Sequence, residues 1–369
     1  MLKYLPDNIG SYDRRDVTFL LRDISHLNLE ASLEEREEKI QLGTAHYSEM
    51  LPVEYHPDEK YLDLYEQMLS QYASKIANCV AIVAEKIAEL KGVENLVLVS
   101  LARAGTPIGI LLKRYFTEAY GVDVPHYSIS IIRGRGIDKA ALHYITELHP
   151  LANVQFVDGW TGKGAITKEL QHAVTSWNKT AKKPLDAELA VLADPGHCVK
   201  IYGTREDFLI PSACLNSTVS GLVSRTVFNE DFMDADDFHG AKFYKELADV
   251  DVSNTYIDSI VRHYSQDLIR AAQQTVQSSS IEEEPTWRGM SCVDEIQKKF
   301  NINNSHHIKP GIGETTRVLL RRIPWKILVN PDAEQNLKHI YLLAQERGVE
   351  IEAYSDMTYS CCGLIKELS

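Results

Sequence analysis

The spacing of hydrophobic residues changes from a helical period to short continuous runs near residue 95. Between residues 58 and 91 apolar side chains recur every three or four positions, which predicts one long amphipathic helix. Four almost continuous apolar runs follow, and such runs are typical of strands buried on both faces of a sheet. The predicted strands lie at residues 96–101, 126–132, 154–158 and 189–193.

Helical patterns separate these strands, at residues 108–120, 139–148 and 165–178. Alternating strands and helices predict an α/β fold built on a parallel sheet. Ligands of such folds bind at the carboxyl ends of the strands. Gly-containing turns follow the predicted strands, so we expect the functional site at that edge.

The last part of the chain is predicted to be a separate small α/β unit. Serine, acidic and Asn/His-rich stretches between residues 276 and 310 indicate a boundary. Beyond it the pattern predicts alternating helices and strands, with a final helix at 359–368. The predicted divisions are an N-terminal cap or hood at 1–57, a parallel-sheet domain at 58–290 and a small C-terminal domain at 305–369.

The net charge also differs between the main part of the chain and its C-terminal domain. The net charge of −13 is carried by residues 1–300, because residues 301–369 hold equal numbers of basic and acidic side chains. An acidic body argues against a non-specific coat on nucleic acid, since the phosphate backbone would repel it. The neutral tail, with Arg317 and Arg321 on one helix face, leaves local phosphate binding open.

The six cysteines form no C-x-x-C pair, and a chain of 369 residues does not need disulfides to support its core. The N-terminus lacks the apolar stretch of a signal peptide, and no run of about 18 apolar residues would span a membrane. These features predict reduced thiols, a cytoplasmic location and no membrane partner. Homo-oligomerisation is left open.

The turn after the third strand has the composition of a phosphate cradle. Asp158 ends the strand, and Gly159, Thr161, Gly162, Lys163 and Gly164 lead into a helix. Free N–H groups at a helix start bind anions, and glycine lets a phosphate approach closely. Asp158 would hold ribose hydroxyls or a divalent cation. An ordinary strand-to-helix turn, with glycine present for packing, explains the same residues.

A second turn of this kind follows the first strand. It offers the backbone amides of Ala104, Gly105 and Thr106 together with the guanidinium of Arg103. A guanidinium suits bidentate recognition of phosphate oxygens. The alternative is a solvated arginine on a loop.

The two turns resemble the pyrophosphate and 5′-phosphate loops of type I phosphoribosyltransferases. The resemblance implies binding of phosphoribosyl pyrophosphate (PRPP) with Mg²⁺ at Asp158, and transfer of ribose 5-phosphate to a nitrogenous acceptor. It assigns catalysis to Asp158 and Arg103, joined by Arg133 and Arg135 on a mobile loop. This chain departs from the family by carrying one acid, where the family usually has two.

A closer resemblance is to StiP-type proteins of bacterial tellurium-resistance stress operons, which are often labelled cysteine proteases. Members join a divergent phosphoribosyltransferase domain to a PELOTA-type (L7Ae-like) RNA-binding domain. The matching segments are residues 43–52, 220–227 and 311–317, with the two turns above. The resemblance implies structured RNA as a partner of the C-terminal domain. Its expected RNA-binding residues are Gly313, Thr315, Arg317 and Arg321.

An acceptor pocket is expected to combine residues from distant parts of the chain. Asp194 and His197 follow the fourth strand, where phosphoribosyltransferases contact the nucleobase, and the other candidates are Glu49, Ser224 and Arg225. Plain capping or loop roles explain these residues equally well.

The sequence therefore favours a PRPP-dependent phosphoribosyltransferase that makes a nucleotide-like metabolite and carries an RNA-binding tail. Two alternatives stay open: a cysteine protease, and a non-catalytic PRPP or nucleotide sensor that binds RNA. A protease needs a thiol beside an imidazole. His197 with Cys214, or His46 with Cys198, would provide better geometry than the adjacent pair His197 and Cys198.

Overall fold

The computed structural model describes residues 5–32, 48–234, 236–279 and 284–366. Its main sheet has six strands, and every neighbouring pair is parallel. Across the sheet they run β1 (Thr18–Phe19), β6 (His126–Ile129), β5 (Leu96–Leu101), β9 (Asn153–Trp160), β10 (Leu189–Ala193) and β11 (Ile201–Thr204).

Short strand pairs surround this sheet. β2 (Arg22–Asp23) pairs in parallel with β12 (Gly240–Ala241), and β3 (Glu30–Ala31) pairs in parallel with β4 (Leu51–Pro52). β7 (Ile131–Ile132) and β8 (Gly136–Ile137) form an antiparallel hairpin just after β6. The N-terminal segment thus contributes β1 to the main sheet as well as short strands outside it.

Helices cover the main sheet. The longest, α1 (Glu59–Lys91), begins at Asp58, whose side chain accepts the N–H of Lys60, and buries an apolar stripe. The others are α2 (Gly105–Tyr120), α3 (Lys139–Leu148), α4 (Ala165–Asn178), α5 (Ser253–Val261) and α6 (Gln266–Ser278). None of the helices in the described ranges is long and apolar enough to cross a lipid bilayer.

The C-terminal domain is a small four-stranded sheet with three helices. Its elements are α7 (Arg288–Lys299), β13 (Ile308–Pro310), α8 (Ile312–Arg321), β14 (Pro324–Val329), α9 (Lys338–Arg347), β15 (Glu350–Ala353) and β16 (Cys361–Ile365). The strand order is β13-β16-β14-β15, and only the β14–β15 pair is parallel. A 3-10 turn at Ser305–His307 precedes β13.

The two domains share one buried core. Ile312 and Leu319 of α8 belong to the same apolar cluster as Ile76 and Val80 of α1. Hydrogen bonds reinforce the contact: the Tyr61 hydroxyl donates to the Leu320 carbonyl at 3.0 Å. The C-terminal domain is therefore docked on the main domain through both apolar and polar contacts.

The predicted α/β class, the parallel sheet and the small C-terminal α/β domain are confirmed. The helix predicted at 359–368 is wrong, because Cys361–Ile365 is a buried strand between β13 and β14. Its partners lie far away in the sequence, so its local pattern could not reveal them. The predicted boundary at 276–310 also contains a full helix, α7.

Candidate functional site

A cleft of about 310 Å³ opens at the carboxyl ends of β5 and β9. Arg103, Ala104 and Asp158 line it from the main domain, and Arg317 lines it from α8. Gly105 permits this convergence, because a Cβ there would lie 2.4 Å from the Val157 carbonyl oxygen. The sheet therefore brings together three residues predicted for one site, and the docked domain adds Arg317.

The electrostatics of the cleft favour an anion. Burial raises the pKa of the Asp158 carboxyl to about 7, although the N–H of Gly159 and the charge of Arg317 oppose the rise. Arg103 donates to the Val223 carbonyl at 3.1 Å and to the Asn216 side chain at 3.2 Å, and burial lowers its pKa. Near neutral pH the two guanidiniums thus face a carboxyl that is only partly ionised.

Arg317 belongs to this cleft in the docked arrangement. Its guanidinium lies 4.9 Å from the centre of the Trp160 ring, and it pairs with Glu314 at 3.3 Å. Its Nε–H donates to the Ala213 carbonyl at 3.4 Å. The prediction that this arginine faces RNA does not fit these contacts.

The other predicted RNA-binding residues are also turned toward the main domain or buried. A Cβ on Gly313 would lie 3.6 Å from Ala213 and from Trp160. Thr315 is buried, and its hydroxyl donates to the Lys309 carbonyl at 3.3 Å. Arg321 ends α8, and its side chain lies outside the described residues.

The loop predicted to cradle phosphate, Thr161–Gly164, is covered by the C-terminal part of the chain. The Gly162 carbonyl accepts the Tyr359 hydroxyl at 3.1 Å. The Lys163 ammonium donates to the Ser305 carbonyl at 2.6 Å. Gly164 has φ +78°, and a Cβ there would lie 2.5 Å from the Trp287 ring. These contacts bury Thr161 and Gly164 and leave Gly162 and Lys163 partly exposed.

Beneath this loop, Asp194 organises a buried turn that holds Cys198. Its carboxylate accepts the backbone N–H groups of Cys198 at 2.9 Å and Val199 at 3.1 Å, and it also binds the Thr161 hydroxyl and Arg205. Burial raises the pKa of Asp194. The Cys198 sulfur lies 3.3 Å from the Gly196 carbonyl oxygen and 3.8 Å from that of Gly162.

The expected acceptor pocket does not assemble. Asp194 and His197 follow β10, whereas Glu49 pairs with Arg135 of the β7–β8 hairpin, which follows β6. Two strands, β5 and β9, lie between β6 and β10 in the sheet, so these residues are far apart. Ser224 accepts the N–H of Lys242 at 2.9 Å, and Arg225 donates to the Met50 carbonyl at 2.7 Å. His46 lies outside the described residues.

The expected mobile loop at 133–138 forms the β7–β8 hairpin. The Glu169 carboxylate of α4 accepts the N–H groups of Gly134 at 2.9 Å and Gly136 at 3.1 Å, which fixes the hairpin turn. Arg133 is an exposed residue of this hairpin, and Arg135 pairs with Glu49.

Two buried arrangements escaped the sequence analysis. Asp207 follows β11, and its carboxylate accepts the N–H groups of Ile312 at 3.0 Å and Ser360 at 2.9 Å. Ser100 lies 2.7 Å from Nε2 of His126, whose Nδ1 lies 2.8 Å from the Asp16 carbonyl oxygen. An acid just after a strand was the available signal for Asp207. Nothing local marks the Ser100–His126 pair.

The main α/β domain carries the cleft with Arg103 and Asp158, and a second small domain docks beside it. The chain is therefore a two-domain protein with its candidate site at the domain boundary. A family profile described as "Tellurite-like stress resistance cysteine protease StiP" matches residues 10–261. A second, "PELOTA RNA binding domain", matches residues 287–367. The "Cysteine protease StiP" of Acinetobacter baylyi is 34% identical over 369 residues, covering 97% of this chain and 94% of that protein. The chain belongs to the StiP family and has a C-terminal PELOTA domain.

These matches overturn the expected phosphoribosyltransferase activity. The family and the relative are both described as cysteine proteases, which hydrolyse peptide bonds and do not transfer ribose phosphate. The covered Thr161–Gly164 loop agrees with this correction. Without transferase activity, the residue roles that were expected in binding PRPP and a nitrogenous acceptor are no longer supported.

Magnesium was expected only through Asp158. The charged neighbours of that carboxyl are guanidiniums, which suit an anion better than a divalent cation. Among the described residues, no group of three or more His, Cys, Asp or Glu side chains is placed to hold a metal.

Proposed function

We propose that this chain is a cysteine peptidase with Cys198 as its nucleophile, held latent while the C-terminal domain is docked. The description shared by the family and the Acinetobacter baylyi relative supports the peptidase activity. The position of Cys198 supports its role, because it lies at the carboxyl edge of the main sheet, where α/β proteins bind ligands. This position is the observation that carries the assignment.

The other cysteines are less suitably placed. All six are buried. Cys79 lies within α1, and Cys214 packs in the apolar cluster that contains Tyr65 and Tyr256. Cys292 belongs to α7, while Cys361 and its neighbour in β16 are internal to the C-terminal sheet. Four of these thiols therefore lie inside helices or the C-terminal sheet, and Cys214 lies inside the apolar cluster.

The thiol of Cys198 is inactive in the docked arrangement. Burial raises its pKa to about 12, and the charge of Asp194 adds to the rise. Because the thiolate is the attacking species, a protonated thiol at neutral pH does not react. Uncovering Cys198 removes the burial that dominates this shift and admits a peptide. The pairing of His46 with Cys198 stays a prediction.

The cover over Cys198 is formed by the segment that leads into the C-terminal domain. The N–H of Trp287 donates to the His197 carbonyl at 3.0 Å, and the N–H of Gly289 donates to that of Gly196 at 3.0 Å. A Cβ on Gly289 would lie 2.0 Å from the Tyr359 hydroxyl. We call the segment at residues 287–289 the seal. It packs so closely over Cys198 that one added methyl group at Gly289 would displace it.

The loop that follows β9 contacts both the cleft and the Cys198 thiol. Trp160 lines the cleft, and two residues later the Gly162 carbonyl contacts the Cys198 sulfur. A peptide anchored in the cleft would thus be held beside the nucleophile. The guanidinium of Arg103, which belongs to the main domain and stays in the cleft when the C-terminal domain moves away, suits an acidic side chain of that peptide. The match to a PELOTA domain supports structured RNA as a second partner.

The test is hydrolysis of fluorescent casein by full-length protein, with Cys198→Ser compared with the matched control Cys214→Ser. We expect slow hydrolysis by the wild type and by the control, through the small fraction of molecules in which the cover opens. Cys198→Ser should lose at least about 100-fold of this activity, the scale expected when a nucleophile is removed. Full hydrolysis by Cys198→Ser would refute the assignment of this thiol. If none of the three proteins hydrolyses casein, even when Gly289→Ala is added to open the seal, the peptidase activity is refuted.

A further inference from the structure

The side chain of Lys168 lies against the segment that covers Cys198. Lys168 belongs to the first turn of α4, where its backbone N–H donates to the Gly164 carbonyl at 3.1 Å. Its ammonium lies 5.1 Å from the centre of the Trp287 ring and donates to the Met290 sulfur at 2.9 Å. The cation is therefore held by a residue of the seal and by the residue that directly follows the seal.

The same tryptophan ring lies beside the Cys198 sulfur. A Cβ added to Gly164 would lie 2.5 Å from the Trp287 ring and 2.8 Å from the Cys198 sulfur. The N–H of Trp287 donates to the carbonyl of His197, the residue before the thiol, at 3.0 Å, and this bond fixes the ring there. The Lys168 ammonium and the thiol are thus neighbours of one aromatic ring, and that ring belongs to the seal.

Charged groups of both signs act on this thiol. Its titratable and charged neighbours are Asp194, Arg205, Lys168 and, from the C-terminal domain, Tyr359. After burial, Asp194 raises the pKa of the thiol, whereas Arg205 and Lys168 lower it. Asp194 and Arg205 pair with each other within the main domain. Tyr359 is neutral at neutral pH, because burial raises its pKa. Lys168 is therefore a charged neighbour whose contacts change when the seal moves.

Resting on the assignment of Cys198 as the peptidase nucleophile, we propose that Lys168 stabilises the attacking thiolate once the seal opens. Departure of Trp287 and Met290 removes the two contacts of the ammonium described above. The flexible four-carbon stem of a lysine then lets the ammonium turn to the sulfur. The thiol releases its proton to water, and the thiolate forms an ion pair with the ammonium. A lysine beside a cysteine favours this ionised form.

Lys168 thus has one role in the latent protein and another in the open protein. In the latent protein its charge lies over the face of Trp287, which attracts cations, and so it stabilises the seal. In the open protein the same charge lies beside the nucleophile. Cys198 also lies next to the start of α4, where the first N–H groups of a helix favour a negative charge. Movement of the seal therefore uncovers the thiol and supplies its counter-charge together.

The test is the pH dependence of Cys198 alkylation by iodoacetamide in full-length Gly289→Ala, whose added Cβ would lie 2.7 Å from the Gly196 Cα and so forces the seal apart. We expect a midpoint at about pH 7.5 or lower, compared with about 8.5 for an unperturbed thiol. Adding Lys168→Gln should raise the midpoint by about one unit and slow alkylation at neutral pH by about tenfold.

Two matched variants control this comparison. Lys168→Arg keeps the positive charge and should restore the low midpoint. Lys179→Gln removes an exposed lysine just beyond the other end of α4 and should leave the midpoint unchanged. The midpoint reports ionisation of the thiol and not the frequency of opening. Trp287→Ala, which removes the covering ring itself, therefore provides a second open protein for the same measurement if Gly289→Ala does not fold.

Equal midpoints for Lys168→Gln and its parent protein in these open backgrounds would overturn the proposal. A midpoint that moves with His46→Gln but not with Lys168→Gln would also overturn it and would make an imidazole the partner of the thiolate. Alkylation reads the thiol directly and does not require peptidase activity. A shifted midpoint together with full casein hydrolysis by Cys198→Ser would therefore refute the nucleophile assignment and leave the ion pair standing.

Discussion

The carboxylate of Asp207 accepts the backbone N–H of Ile312 at 3.0 Å and so caps α8 from the other domain. The same carboxylate accepts the N–H of Ser360 at 2.9 Å. Burial raises the pKa of Asp207 to about 6. One acid of the main domain therefore satisfies two N–H groups of the PELOTA domain, and this contact ties the position of α8 to the main domain beside the cleft.

Replacing Asp207 should loosen the docked arrangement. Asp207→Ala leaves two N–H donors without their buried acceptor, which costs about 1–3 kcal/mol. We expect urea denaturation to show this loss and limited trypsin digestion to cleave the variant faster between the domains. The exposed control Asp267→Ala should change neither the free energy of unfolding nor the rate of trypsin cleavage. If both variants behave alike, Asp207 does not stabilise docking.

Gly164 is expected to control exposure of the Cys198 thiol. A Cβ there would lie 2.5 Å from the Trp287 ring and 2.8 Å from the Cys198 sulfur, at a φ of +78°. Gly164→Ala should displace Trp287 and speed alkylation of Cys198 by at least about tenfold, which corresponds to about 1.4 kcal/mol of opening.

The matched control for this change is Gly121→Ala. Gly121 has φ +67° but open space around it, so it reproduces only the backbone strain, about 1 kcal/mol. Alkylation of Cys198 at the same rate in both variants would show that Trp287 does not seal the thiol.

The buried Ser100–His126 pair should make stability fall on acidification. Burial lowers the pKa of His126 to about 4, whereas an unfolded histidine titrates near 6.5. Between these values the unfolded chain binds a proton that the folded chain does not, so lowering the pH favours unfolding.

Comparison of wild type with His126→Asn isolates this effect, since all other titrating groups are common to both. Wild type should lose about 2 kcal/mol more than the variant between about pH 7 and about pH 5. Urea denaturation at both pH values measures the difference. Parallel pH dependence of the two proteins would contradict a buried, neutral His126.

The cleft is expected to set affinity for acidic peptides. Arg103→Ala removes the guanidinium that the main domain itself contributes to the cleft, and should raise KM for an acidic peptide about tenfold with little change in kcat. The exposed control Arg270→Ala should leave both constants unchanged. A fall in kcat at constant KM would place Arg103 in the chemical step and not in peptide binding.

The sequence predicted much of the main sheet because its buried strands are marked locally. Leu96–Leu101 and Leu189–Ala193 are continuous apolar runs, and both are strands. The meeting of Arg103 and Asp158 was also predictable, since the carboxyl ends of neighbouring parallel strands share an edge. Ser130, in contrast, interrupts the run at 126–132, and the chain turns there into the β7–β8 hairpin.

The parts that could not be predicted depend on docking between distant segments. Arg317 has the spacing of a surface helix, and only the packing of α8 on Trp160 brings it to the cleft. The strand Cys361–Ile365 likewise depends on β13 and β14 for its hydrogen bonds. The covered state of Cys198 depends on Trp287, almost ninety residues away in the chain.

The central claim is that Cys198 is the peptidase nucleophile and that domain docking controls it. The most direct measurement is site-resolved alkylation of all six cysteines by iodoacetamide, read by mass spectrometry, in wild type and Gly289→Ala, with casein hydrolysis measured on the same samples. The account predicts that opening the seal raises Cys198 alkylation and hydrolysis together, each by at least about tenfold, and that prior alkylation of Cys198 abolishes hydrolysis. Hydrolysis that persists when Cys198 is fully alkylated would contradict it.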